Sequence, residues 1–144
     1  MSNKFNAGEP GKLALPDCKR YTHGRLHRIY GGTMKIDRQD RTATGVRFSV
    51  SSDGREIARA YLYVMTNDLH KAPFGLLEDV HVDESQRGGG MGSALVREAL
   101  ATARELGCYK LIATSRISRP KVHALYERLG FEKHGVEFRI NLAE

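Results

Sequence analysis

Gln86-Arg87-Gly88-Gly89-Gly90-Met91-Gly92-Ser93 lies between a strand-like run and an amphipathic run, and its reading decides the fold. Four of the five residues from Gly88 to Gly92 are glycine. Inside a helix each glycine costs about 1 kcal/mol relative to alanine, so a plain connector would not gather them at a helix start. Glycine lets the backbone approach a ligand closely, and the first turn of a helix offers unpaired N–H groups at its positive end. That combination suits a phosphate or a pyrophosphate.

Downstream, Met91, Leu95, Ala99, Ala103 and Leu106 recur at helical spacing with Arg97, Glu98, Arg104 and Glu105 on other faces, predicting a helix over 90–106 that stops at Gly107. Upstream, Gly75 to Val82 reads as a strand holding two acids, Glu78 and Asp79, which alternation places on opposite faces. Tyr109 to Thr114 reads as the next strand, so 75–114 is a βαβ unit. Val46, Phe48 and Val50 alternate with Arg47 and Ser49, Asp53-Gly54 marks a turn, and 57–65 is β-rich: an antiparallel hairpin. A second helix is expected to be capped by Ser118 and opened by Pro120, with Val122, Leu125 and Leu129 as its stripe and Gly130 as its end. Phe131 to Asn141 reads as a closing antiparallel pair around His134-Gly135. The fold class is α/β, with a mixed, mostly antiparallel sheet flanked by helices.

The first third is different. Residues 1–12 read as a loose arm, and Tyr21 to Tyr30 fits either a helix or a strand. Residues 1–48 carry ten basic and four acidic side chains, whereas 49–144 carry thirteen of each, so the whole net charge of +6 sits at the front. At 144 residues the chain has room for one domain. No apolar run approaches the roughly 18–20 residues of a membrane span, and the N-terminus lacks the apolar stretch of a secretory signal. The two cysteines, Cys18 and Cys108, form no disulfide framework, which fits a reducing cytoplasm.

Two common phosphate binders fail on particular residues. A P-loop requires a Gly-Lys pair followed by Ser or Thr, and Ser93 occupies the place of that glycine with no lysine beside it. A dinucleotide fingerprint begun at Gly88 also puts its third glycine at Ser93, and the next strand ends Leu111-Ile112-Ala113-Thr114 without a ribose-binding acid. Arg87-Gly88-Gly89-Gly90-Met91-Gly92 instead resembles the acyl-CoA signature of the GCN5-related N-acetyltransferase (GNAT) family: Arg or Gln, two variable residues, Gly, one variable residue, Gly or Ala. Leu77-Glu78-Asp79-Val80-His81-Val82-Asp83 is similar to that family's fourth strand, and Ala124-Leu125-Tyr126-Glu127-Arg128-Leu129-Gly130-Phe131 to its later helix motif. The resemblance covers about residues 44–142. The chain then reads as one GNAT-like domain over 1–144, with an atypical basic part at 1–43 and an acetyl-CoA-binding core at 44–142.

The resemblance implies an acetyl-CoA-dependent N-acetyltransferase. Backbone N–H groups from Gly88, Gly89, Gly90, Met91, Gly92 and Ser93 hold the CoA pyrophosphate, and Arg87 adds positive charge. Val80, His81 and Val82 pair through their backbone with the pantetheine arm, on a strand that splays from the Tyr109 strand. An N–H near Val80 or Val82 polarises the acetyl carbonyl. Tyr126 is the expected general acid toward the departing thiolate, and Glu78 the expected base for the acceptor amine. Many relatives carry an Asn shortly before the later helix; here the stretch is Ser115-Arg116-Ile117-Ser118-Arg119-Pro120, with Ser118 as the substitute hydrogen-bonding group and Arg119 within reach of an anionic part of CoA.

His81 on a strand and His123 one turn before Tyr126 read as structural or exposed residues as readily as site residues. His23 and His27 have metal-compatible spacing only on a helix and lack a third ligand, so no metal is expected. Cys108 reads as a small buried residue. The expected partner is a small-molecule or peptide amine, with no nucleic acid and no membrane; a homodimer stays open. Two alternatives compete: a non-catalytic acyl-CoA-binding or regulatory module, and a nucleic-acid binder led by the basic segment, which has no recognisable reader motif. The basic front third is expected to disfavour polycationic acceptors such as spermidine.

Overall fold

The computed structural model describes residues 23–142, which fall into two compact units that part between Thr42 and Ala43. The loose arm expected for 1–12, and Cys18, lie outside the described residues.

The first unit contains an antiparallel hairpin of β1 (His23–Ile29) and β2 (Gly32–Arg38), closed by Tyr30-Gly31 in register Ile29↔Gly32. The open choice over Tyr21 to Tyr30 is therefore settled, from His23 onward, as a strand paired with β2. Four residues along a strand span about 13 Å, so His23 and His27 do not share a turn as they would on a helix. Lys35 pairs with Asp37 at 2.7 Å and Arg38 with Asp40 at 2.8 Å, which offsets part of the local positive charge.

The second unit is a four-stranded sheet in the order β3 (Thr44–Ser52), β4 (Arg55–Met65), β5 (Phe74–Val82), β6 (Leu111–Ala113). The first three strands are antiparallel in turn and β5–β6 is parallel, the expected mixed sheet. The β3–β4 turn has Asp53 at φ 51° and Gly54 at φ 76°, the two left-handed positions that the Asp-Gly pair signals. Helix α1 (Met91–Glu105) lays Leu95, Val96, Ala99 and Ala103 on Ala58, Ala60, Leu62 and Leu77, all buried. Gly75, near the start of β5, leaves room for its neighbours on β4 and β6, because a Cβ there would stand 2.7 Å from Leu111 Cδ1 and 3.1 Å from Leu62 Cδ1.

Helix α2 (Pro120–Arg128) follows β6 and packs Tyr126 and Leu129 against the same core, joined by Phe131. Two expectations fail here. The cap position is Arg119, without a side-chain cap, so Ser118 does not cap α2. Residues 131–142 form no strand, and Val136, Phe138 and Ile140 are exposed. Their alternation suits a strand, but β6 is only three residues long and offers little ladder to extend. Among the described residues no helix is long and apolar enough to cross a membrane.

Candidate active site

Two breaks in regularity meet at the end of β5. The β5–β6 ladder pairs Gly75↔Leu111, Leu76↔Ile112 and Leu77↔Ala113, and stops. On the other edge, β4 and β5 pair Tyr61 with Glu78 and Arg59 with His81, so Asp79 and Val80 together oppose Ala60. This is a β-bulge, with Asp79 at φ 46°. It corrects the simple alternation that set Asp79 opposite Glu78. Leu77, Val80 and Val82 pack on the core beneath α1, whereas Glu78 and His81 take the other face, across from Tyr61 and Arg59. Asp79 is exposed and accepts a hydrogen bond from Arg59 Nε at 2.7 Å. Beyond Leu77, the β6-facing edge of β5 has no strand partner among the described residues.

The glycine run forms the second break. A short 3₁₀ turn over Glu84–Gln86 leads to Gly88 at φ 93° and Gly90 at φ 85°, and Gly90 is the N-cap of α1. Only glycine adopts these two left-handed positions without strain. No side chain caps the helix, and its first intrahelical bond is Ala94 N–H to Gly90 O at 3.0 Å. The N–H groups of Met91, Gly92 and Ser93 therefore have no partner inside α1. A Cβ at Gly88 or Gly90 would meet nothing within 4 Å, so the space above the turn is open. Arg87 ties this turn to the strand: Nε donates to Val82 O at 3.1 Å and Nη1 pairs with Glu84 at 3.0 Å.

Glu78 and Tyr126 are brought into electrostatic contact. Burial, and behind it the negative charge of Glu78, raises the Tyr126 phenol above its ordinary value. The Tyr126 ring packs on Phe131 with centroids 5.2 Å apart. Thr114, one residue past β6, points its hydroxyl at Glu78 Oε1 across 3.5 Å. The next residue, Ser115, buries its Oγ with no hydrogen-bond partner.

Other expected residues are occupied elsewhere. His81 Nε2 lies 3.4 Å from Asp83 Oδ1. Asp83 also pairs with Arg55, whose hydrogen bond holds its carboxyl below the usual range. The His123 ring donates to Arg116 O at 3.0 Å and pins the loop between β6 and α2. Ser118 and Arg119 are exposed on that loop. Cys108 is half-buried in the core, and burial pushes its thiol up, away from the reactive thiolate. An open groove between β3 and α1, lined by Phe48, Val50, Leu95 and Glu98 among others, contains none of the expected site residues. Among the described residues no three His, Cys, Asp or Glu side chains cluster to hold a metal ion.

The residues fit a CoA-like molecule on three counts: uncapped helix N–H groups, open space above the glycines, and a strand edge beside them that has no partner among the described residues. Sequence reasoning missed Thr114 and Ser115, since a hydroxyl after a strand has no local signature.

A family model described as the acetyltransferase (GNAT) family matches residues 15–131, reaching well before residue 44. A glucosamine 6-phosphate N-acetyltransferase of Trypanosoma brucei brucei is 43% identical over 68 residues, 47% of this chain and 44% of that protein. An aminoglycoside N(6')-acetyltransferase type 1 of Stenotrophomonas maltophilia is 30% identical over 91 residues, 61% of this chain and 60% of that protein. A solved Trypanosoma brucei acetyltransferase superposes with a TM-score of 0.61 at 34% identity, covering 68% of this chain and 69% of the other. The chain spans less than two thirds of the length of the curated relatives it matches.

Proposed function

The chain belongs to the GNAT family of acetyltransferases, and on that premise we propose that it moves an acetyl group from acetyl-CoA to a primary amine by direct attack within a ternary complex. One observation carries the reading: the β5–β6 ladder ends at Leu77 and Ala113 beside a helix start whose N–H groups no side chain caps. Residues 44–142 form the acetyl-CoA-binding core in this reading. Acetyl-CoA supplies the activated thioester.

The remaining work falls to the chain. The N–H groups of Gly88 through Ser93 hold the pyrophosphate, while Arg87 keeps the turn folded against Val82. The backbone of Val80, His81 and Val82 takes the pantetheine arm as a sheet edge takes an added strand. An N–H at Val80 or Val82 donates to the thioester oxygen as negative charge develops there. Glu78, directly or through a water, accepts the proton that the amine gives up as its nitrogen bonds to the acetyl carbon. Tyr126 gives its proton to the sulfur as the C–S bond breaks. The raised phenol supports this role, because Tyr126 stays protonated at neutral pH.

The relatives named for glucosamine 6-phosphate and for aminoglycosides act on amines carried by sugars, so an amino sugar is the first acceptor to test. A cytoplasmic location is inferred from two cysteines with no disulfide framework.

The test is thiol release from acetyl-CoA across a panel of amino sugars, peptides and polyamines. Tyr126→Phe is expected to lower kcat about 10²–10⁴-fold while leaving acetyl-CoA affinity unchanged. Unchanged turnover would remove Tyr126 from the chemistry. Acetyl-CoA binding without transfer to any amine would favour a non-catalytic acyl-CoA-binding module.

A further inference from the structure

Leu62 and Leu77 are buried on the face of the sheet that α1 covers, so the residues that alternate with them take the opposite face. The register sets those residues in two rows. Tyr61 stands across from Glu78. In the next row Tyr63, Leu76 and Ile112 follow one another across β4, β5 and β6. Neighbouring strands lie about 4.8 Å apart, so this second row is a continuous apolar strip beside Glu78. Tyr63 and Ile112 are each 37% exposed on it.

Contacts show which way the two rings lean. Arg47 Nε donates to Tyr61 Oη at 2.9 Å, which draws that ring toward β3. The Tyr63 ring lies beside Gly45 of β3, where an added Cβ would stand 3.4 Å from its Cε1. The rings are parallel within 9°, with centroids 6.2 Å apart. They form a wall on the β3 side of the strip, and Leu76 and Ile112 form its floor.

The chemistry of the proposed function, on which this inference rests, fixes where an acceptor lies. Its amine gives a proton to Glu78, and from there its body extends along β5 in one of two directions. Toward the end of the strand stand His81 and, across from it, Arg59, already paired with Asp79 at 2.7 Å. That stretch is also the one given to the donor arm. Toward the start of the strand lies the apolar strip.

We propose that Tyr63, Leu76 and Ile112 are specificity-determining residues that bind the body of the acceptor, and that this body is a ring with an apolar face, as a pyranose is. A pyranose carries its hydroxyls around the rim and C–H groups on its faces, so it lies on an apolar strip with its rim in water. An aromatic side chain offers such a ring a large apolar surface. An open-chain amine has no flat face to lay down and loses more internal freedom on binding.

The test compares kcat/KM for glucosamine with that for its reduced open-chain form, which keeps the amine and lacks the ring, by thiol release from acetyl-CoA. The wild type is expected to favour the ring about tenfold, a difference of about 1.4 kcal/mol. Tyr63→Ala and Ile112→Ser are each expected to bring that preference to about threefold or less. The ratio compares two substrates on one enzyme, so a loss of folded protein does not move it. Phe138→Ala, which removes an exposed aromatic from the 131–142 segment, is expected to keep the wild-type ratio. An unchanged ratio in either Tyr63→Ala or Ile112→Ser would overturn the assignment. A wild type that treats the two forms alike, or acetylates other amines and neither of these, would overturn it too. Failure to acetylate any amine would instead bring down the proposed function itself.

Discussion

β4 is paired along both edges, and Ala58, Ala60, Leu62 and Val64 are buried in unbroken alternation along it. β5 starts in the same way, with Gly75 and Leu77 buried, but the left-handed Asp79 breaks its rhythm and its second edge runs out of partners beyond Leu77. β4 has a strand along each edge, with one register break on either side. In β5 the last residues pair with β4 on one edge only, and Val82 O accepts from Arg87 Nε, beside a helix whose first N–H groups have no intrahelical partner. A ligand can be held by main-chain atoms only where the fold leaves them unused, so the proposed function gives the chemistry to the irregular strand.

If β4 is scaffold, damaging it costs stability rather than recognition. Leu62→Ala removes a fully buried side chain and is expected to lower unfolding free energy by about 2–5 kcal/mol, read by chemical denaturation. The folded fraction should bind acetyl-CoA as the wild type does; a variant that is stable but blind to the ligand would erase the distinction between the strands.

Asp79 sharpens the comparison from the other side. Valine there is forced into a left-handed conformation, costing about 1–2 kcal/mol or flattening the bulge, and acetyl transfer should fall as well. Asparagine tolerates that conformation and loses only the ion pair with Arg59, an exposed contact worth about 0–1 kcal/mol. If Asp79→Asn damages transfer as much as Asp79→Val, the ion pair rather than the bulge shapes the site.

The smallest effect is a matter of pH. Tyr126 is raised in the folded chain by burial and by Glu78, so the folded state keeps this proton after unfolded phenols lose theirs, near pH 10. Its contribution to stability is therefore full below about pH 10 and declines above it. In the rate profile, the alkaline limb due to Tyr126 should lie above the ordinary phenol value and vanish in Tyr126→Phe. A limb below that value would contradict the assignment.

Much of this was legible in the residues. Asp53-Gly54 specified its turn because few residues other than Asp, Asn and Gly accept two successive left-handed positions. The α1 stripe from Leu95 to Ala103 and the glycine run before it identified the helix and its bare start. The Asp79 bulge was hidden, because Leu77-Glu78-Asp79-Val80-His81-Val82 alternates plausibly in either register and only the pairing with β4 shows where an extra residue enters. Val136, Phe138 and Ile140 misled in the opposite sense: their pattern fits a strand, but a strand requires a partner, and no local pattern says whether one exists. The same limit left Tyr21 to Tyr30 undecided until β2 was seen to pair with β1. Ser115 was invisible for a related reason, since whether a hydroxyl is buried and unpaired is a property of the assembled core.

The claim that the unspent backbone of β5 and α1 holds the acyl donor is tested most directly by amide hydrogen exchange with and without acetyl-CoA. The account predicts slower exchange at Val80, His81 and Val82 and from Gly88 to Ser93, with the amides of Ala58 to Val64 on β4 unchanged. Slowing confined to other segments, or none at all under saturating acetyl-CoA, would contradict it.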